Sequence, residues 1–179
     1  MLPTPPAPFM KGYLVGALLC DGFYDGFYPI PLILSRNKRV DRKAISEKIV
    51  TYAAALKGSR LIVPPTVLEY ADGSYGVESQ MVELLARESV AKFIVAPLPR
   101  VYSVSTQVAK GILAAAVESL GRLDENRILI KTPRSRETLE VLQVFLLRGG
   151  FRSSITESGL VIRGEELCKA VLGWLGLSI

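Results

Sequence analysis

Histidine is absent from the 179 residues, which removes Ser-His-Asp and Cys-His catalysis and the commonest metal ligand. Whatever chemistry the chain performs falls to carboxylates, lysine or hydroxyls. Cysteine is nearly absent too: Cys20 and Cys168 are far apart in sequence, which suggests neither a zinc site nor a disulfide framework. A reducing cytoplasm is the expected compartment. Asn occurs twice, Gln three times and Met three times, a scarcity of thermolabile residues that suits a thermophile. No window reaches the ~18 consecutive apolar residues that a spanning helix needs. The apolar run from Tyr13 to Cys20 is short, is preceded only by Lys11 and has Leu19 where processing needs a small residue, so it is not expected to be a leader. A glycine-rich phosphate loop of the nucleotide-binding type is also missing.

What is present is a core-forming chain. Hydrophobic residues make up 49% of it, enough to offset ordering entropy, and folding at this length removes roughly 70% of the unfolded surface from water. Lys and Arg number 22 against 17 Asp and Glu, a net +5. The excess is evenly divided, with 11 basic and 9 acidic residues through Pro97 and 11 and 8 after it.

Patterning divides the chain into two similar halves. Four prolines in residues 1–9 predict an extended lead-in. From Lys11 to Cys20 the pattern is helical, with Tyr13, Gly16, Ala17 and Cys20 on one small-residue face. A strand follows from Phe27 to Leu34, then a helix opened by Ser35-Arg36-Asn37 with Ile45, Ile49, Tyr52, Ala53 and Leu56 as its stripe. Strands are expected near Arg60 to Val63 and Val67 to Tyr70, with more strand through Val77, and a helix from Gln80 to Ile94 closes a first half of residues 10–97. Residues 98–104 read as a linker. The second half, 105–179, repeats the order. It has a helix from Ser105 to Val117 and a strand from Arg127 to Lys131. A helix capped by Thr132-Pro133 follows, carrying Leu139, Leu142, Phe145 and Leu146. A hairpin from Phe151 to Thr156 and Leu160 to Arg163 precedes a closing helix from Glu165 to Leu175. Each half therefore reads α-β-β-α-β-β-α, an α+β chain of two pseudo-symmetric halves.

The stretch Leu14-Val15-Gly16-Ala17-Leu18-Leu19-Cys20-Asp21-Gly22 resembles the LAGLIDADG motif, with Leu14, Gly16, Asp21 and Gly22 identical. The repeat extends the resemblance over nearly the whole chain beyond residue 10. The family includes homing endonucleases and intron maturases. The resemblance implies a pseudo-twofold fold with saddle-shaped antiparallel sheets, in which the two motif helices pack together and bring a carboxylate from each end to a shared Mg²⁺. Small residues suit such close packing, and hard divalent ions take oxygen ligands. In the second half, Lys110-Gly111-Ile112-Leu113-Ala114-Ala115-Ala116-Val117-Glu118-Ser119 lacks Asp-Gly, and two alignments compete. Matching Gly111 to Gly16 puts Ala116 at the acid position. Matching Glu118 to Asp21 puts Leu113 at the glycine position. The equal 14-residue spacing from Asp21 to Ser35 and from Glu118 to Thr132 favours Glu118.

The resemblance then implies a monomeric, double-motif, Mg²⁺-dependent endonuclease cutting double-stranded DNA at a specific site. Asp21 and Glu118 would be the catalytic and metal-binding acids, and the Cys20 carbonyl a further ligand. Arg36, Lys38, Arg39, Arg42 and Lys43 form a basic cluster that can neutralise phosphates, and Lys131, Arg134 and Arg136 occupy the matching place in the second half. Arg152, Ser154 and Thr156 alternate as a groove-facing row should, whereas Phe27 to Leu34 offers few polar side chains. Arg122 is placed to assist near the acid. A catalytically inactive LAGLIDADG-like binder of DNA or intron RNA is the alternative, and a basic structural protein that binds no nucleic acid is a third reading.

Overall fold

The computed structural model describes residues 5–23, 32–35, 42–55, 66–69, 75–78, 105–131 and 136–174. Two helices form its centre, α1 (Ala7–Asp21) and α3 (Thr106–Leu120). Both are apolar on nearly every face, the pattern of helices surrounded by protein. Phe9, Met10, Tyr13, Leu14, Val15, Ala17, Leu19 and Cys20 are buried on α1, and Ala109 and Ile112 through Val117 on α3. α1 begins at Ala7, inside the expected lead-in. Met10 donates its N–H to the Pro6 carbonyl at 3.1 Å, and Pro8 sits in the first turn, where a missing N–H costs nothing. Ser105 caps α3, accepting from the Val108 N–H at 3.2 Å.

The helices touch backbone to backbone. A Cβ on Gly12 would lie 1.9 Å from the Val108 carbonyl oxygen, and one on Gly111 would lie 2.0 Å from the Phe9 carbonyl oxygen. Only glycine permits either approach. These contacts are pseudo-twofold equivalents of each other if every α1 residue corresponds to the α3 residue 99 positions later. Ala7 with Thr106 and Asp21 with Leu120 have that same separation.

Each helix runs into a sheet of the same topology. The first has strands β1 (Gly22–Phe23), β2 (Leu32–Ser35), β3 (Thr66–Glu69) and β4 (Tyr75–Glu78) in the order β1-β2-β4-β3. The second has β5 (Gly121–Leu123), β6 (Arg127–Ile130), β7 (Ser154–Thr156) and β8 (Gly159–Arg163) in the order β5-β6-β8-β7. All neighbours are antiparallel. Gly22 pairs with Ile33 and Gly121 with Ile130, which extends the 99-residue correspondence into the first strands.

α2 (Arg42–Ala55) lies against α1, with Ile49 buried and Ile45 and Tyr52 packed on the core as their stripe predicts. In the second half α4 (Arg136–Arg148) buries Leu139, Val141, Leu142, Phe145 and Leu146. It ends when Phe151 N–H reaches the Leu146 carbonyl at 2.8 Å and Gly150 N–H the Leu147 carbonyl at 3.0 Å, with Gly150 at φ 98°. α5 (Glu165–Trp174) closes the fold. Its Trp174 meets Phe151 edge-on at 6.4 Å and lies under Lys110 of α3 at 5.5 Å, so it is a packing residue. The expected strand at Arg60 to Val63, the helix from Gln80 to Ile94, the linker and the Thr132-Pro133 cap lie outside the described residues. Among those residues no helix is long and apolar enough to cross a membrane.

Candidate nucleic-acid interface

Asp21 ends α1 immediately before β1. The position matching it at the end of α3 is Leu120, because Gly121 opens β5 as Gly22 opens β1. Both alignments weighed from the sequence therefore give way to a third, in which Gly12, Gly16 and Gly22 correspond to Gly111, Ala115 and Gly121. Glu118 falls at the position of Leu19, two residues short of the helix end. The sequence carried a signal for this register, since Gly12 and Gly22 are ten apart, as are Gly111 and Gly121. Gly12 was overlooked because it lies outside the nine-residue motif.

The Glu118 side chain, 10% exposed, accepts a hydrogen bond from the Tyr13 hydroxyl at 2.5 Å and pairs with the Lys48 ammonium of α2. Lys48 also lies 5.3 Å from the centre of the Tyr13 ring, and Tyr52 meets that ring edge-on at 5.1 Å. Burial, reinforced by the Glu118 charge, raises the Tyr52 pKa above its usual 10.0. Glu118 thus joins the second half's motif helix to two helices of the first. Its partner Tyr13 is eight residues before Asp21, about 12 Å along α1. Among the described residues no three His, Cys, Asp or Glu side chains gather as a metal-holding group. Glu118, held by a hydroxyl and an ammonium, does not fit the role of partner acid for a metal at Asp21. Cys20 and Cys168 are buried free thiols. Burial pushes the Cys168 thiol pKa up, and the Asp124 charge adds to the shift, which suits an inert packing residue.

The second sheet has two unlike faces. Antiparallel partners share a face, so the register groups Leu123, Ile128, Ile130, Ile155, Leu160 and Ile162 on one side. Four of these are fully buried core residues: Ile128, Ile130, Leu160 and Ile162. The opposite face carries Arg122, Leu129, Val161 and Ser154 in one row and Arg127 beside Arg163 in the next. Arg122, Lys131, Arg152, Ser154, Thr156 and Arg163 are exposed. Arg127 donates a hydrogen bond to the Asp124 carboxylate on the turn at 3.0 Å, an exposed ion pair. The strands of this sheet contain no carboxylate.

The expected row of Arg152, Ser154 and Thr156 is therefore solvent-facing, but Thr156 differs from its neighbours. Its hydroxyl donates to the Gly159 carbonyl at 3.1 Å and accepts from the Ser158 N–H at 3.2 Å, closing the hairpin. Arg122 stands on the outer sheet face by register, two residues past the helix end. Arg136 is exposed and pairs along its own helix with Glu140 at 3.6 Å. Arg42 opens α2, with Lys43 next to it. Arg36, Lys38, Arg39 and Arg134 lie outside the described residues. Arg127 and Arg163 were not singled out in the sequence, although Arg127-x-Leu129-x-Lys131 and Val161-x-Arg163 show the same two-residue alternation.

The architecture matches solved structures over nearly its whole length. The N-terminal LAGLIDADG domain of DUF199/WhiA superposes with a TM-score of 0.57 at 13% identity, covering 99% of this chain and 87% of that one. The chain has the LAGLIDADG homing-endonuclease fold. A variant of I-DmoI in complex with its nicked target DNA in the presence of Mn gives a TM-score of 0.55 at 13% identity, covering 96% of this chain and 97% of that one. A second I-DmoI variant, bound to its target DNA, gives 0.54 at 12% identity over 95% of both chains. No family model matches the sequence, and no curated protein does. The LAGLIDADG likeness rests on shape together with the motif at Leu14 to Gly22.

Proposed function

We propose that the chain binds duplex DNA through the outer face of its second sheet and does so without a two-carboxylate nuclease centre. The observation that carries this reading is that face itself. Arg122, Arg127, Lys131, Arg152 and Arg163 share it or flank it, with no acid on its strands. A B-form major groove about 12 Å wide admits strands spaced about 4.8 Å apart, and arginine reads guanine there through two hydrogen bonds. The A-form major groove is too narrow for such a face, which favours DNA over intron RNA as the partner. With Arg127 paired to Asp124, the other four basic groups meeting phosphates predict a logarithmic salt slope of magnitude about 4. Fluorescence anisotropy with a labelled random-sequence duplex across a salt series tests the reading. Binding that is absent, or independent of salt, would sink it.

A second reading keeps the nuclease, and Asp21-Gly22 at the junction of α1 and β1 favours it. Asp21, the Cys20 carbonyl and Glu118 would then be the groups that hold Mg²⁺ in a monomer, and the ion would supply charge stabilisation and an activated water at the phosphate. Nicking or cleavage of supercoiled DNA in Mg²⁺, abolished by Asp21→Asn and by Glu118→Gln, would establish this reading over the first.

A further inference from the structure

We infer that Leu129 of β6 and Val161 of β8 form an apolar seat for the C5 methyl group of thymine in the major groove; this rests on the DNA-binding reading above. A sheet with one face on the core and one toward solvent alternates apolar and polar residues along its strands. The outer face of the second sheet keeps that alternation at Arg122, Arg127, Ser154 and Arg163 and breaks it at Leu129 and Val161, which are direct partners in the β6–β8 ladder. Val161 is 7% exposed and Leu129 half-buried, and neither belongs to the core cluster of the described residues. Leu129 is therefore the accessible part of the pair and Val161 its backing. Arg122 and Ser154 end the row that contains them, Arg127 and Arg163 form the next row about 7 Å along the strands, and Lys131 follows Leu129 by two residues on the other side.

An apolar pair ringed by cations fits a polyanion that carries one small apolar group. In the major groove the base pairs present hydrogen-bond donors and acceptors, and the one apolar group in that code is the thymine methyl. Two side chains fall far below the ~800 Å² per partner that a stable protein interface buries, whereas a methyl needs only a few atoms to cover it. The surrounding cations neutralise phosphates whatever the sequence, so they supply affinity without choosing a base. Leu129 adds the choice.

The test uses the full chain and two alternating A·T duplexes of about two helical turns, identical except that one carries deoxyuridine in place of thymidine. Deoxyuridine pairs with adenine as thymidine does and lacks only the methyl. Read by anisotropy across a salt series, the seat predicts about fourfold tighter binding to the thymidine duplex, the worth of one buried methyl-sized group. Leu129→Ser should abolish that preference with the salt slope still about 4, because the cations are untouched. Arg163→Gln should do the reverse, weakening both duplexes alike and lowering the slope by about 1. Melting midpoints by circular dichroism show whether each variant folds, and Leu129→Gln replaces Leu129→Ser if the smaller side chain does not. Equal affinity of the unaltered chain for the two duplexes, or a thymidine preference that survives in the folded Leu129 variant, overturns the seat and leaves DNA binding standing. If neither duplex binds in a salt-dependent way, the DNA-binding reading falls and this inference with it.

Discussion

The two central helices have the same length and place a glycine at the same point of closest approach, yet one ends in Asp21 and the other in Leu120. The matched parts are those where backbone meets backbone, and there the packing tolerates almost no variation. The unmatched parts begin at the helix ends, where Asp21 and Leu120 occupy equivalent positions. Symmetry here belongs to the scaffold, while the surface is free to differ between halves. A repeat read from packing residues therefore says little about whether a chemical site is repeated.

The largest expected effect attacks the symmetric part. Gly12→Ala and Gly111→Ala each drive a methyl into a carbonyl oxygen and should each cost about 3 kcal/mol or more, measurable by urea denaturation. Near-equality of the two is what the 99-residue correspondence demands. A large cost at Gly111 with little at Gly12 would break it.

Next is the asymmetric contact. Glu118→Ala leaves the Tyr13 hydroxyl and the Lys48 ammonium without this carboxylate in a partly buried place, a loss of about 1 to 3 kcal/mol. Glu118→Leu, which copies Leu19, combined with Lys48→Met should recover much of it, because an apolar pair avoids the desolvation of the ions. A double variant no better than Glu118→Ala would show that the ion pair is specifically required.

Alkaline titration sharpens the same contrast. The native state holds Tyr52 neutral above its usual pKa of 10.0, through burial first and the Glu118 charge second. The unfolded chain ionises there at about pH 10 while the native one resists, so Tyr52's contribution is fully present below that pH and is lost as pH climbs toward the raised native value. Tyr52→Phe should flatten the stability loss above pH 10, seen as a smaller decline in melting midpoint. The smallest effect is at Arg136, where removing the exposed pair with Glu140 should change stability by at most about 0.5 kcal/mol.

Much of the fold was legible in the sequence because its signals are local. The stripe of Leu139, Leu142, Phe145 and Leu146 could only be a helix face, and Gly149-Gly150 could only stop it. The order of strands and helices in the second half followed from such signals, with ends displaced by a few residues. The register between α1 and α3 was legible only in the shared ten-residue spacing of Gly12 to Gly22 and of Gly111 to Gly121, outside the nine-residue motif. Ala114, Ala115 and Ala116 offer no shape that distinguishes one alignment from the next, and the decisive contacts join carbonyl oxygens to missing side chains across 96 residues of chain, from Gly12 to Val108. Glu118 looked like a helix-end acid because its distance to Thr132 matched. Its tether to Tyr13 and Lys48 depends on how three helices meet, which no single segment encodes.

The glycine contact also bears on how the protein is made. Neither α1 nor α3 can bury its small-residue face until the other exists, and closing so long a loop precedes any gain from the contact. A ribosome that has released only the first half therefore exposes a helix with Phe9, Leu14 and Leu19 unsheltered. Productive folding must wait for Gly111, and synthesis stalled before it would yield a species prone to aggregate.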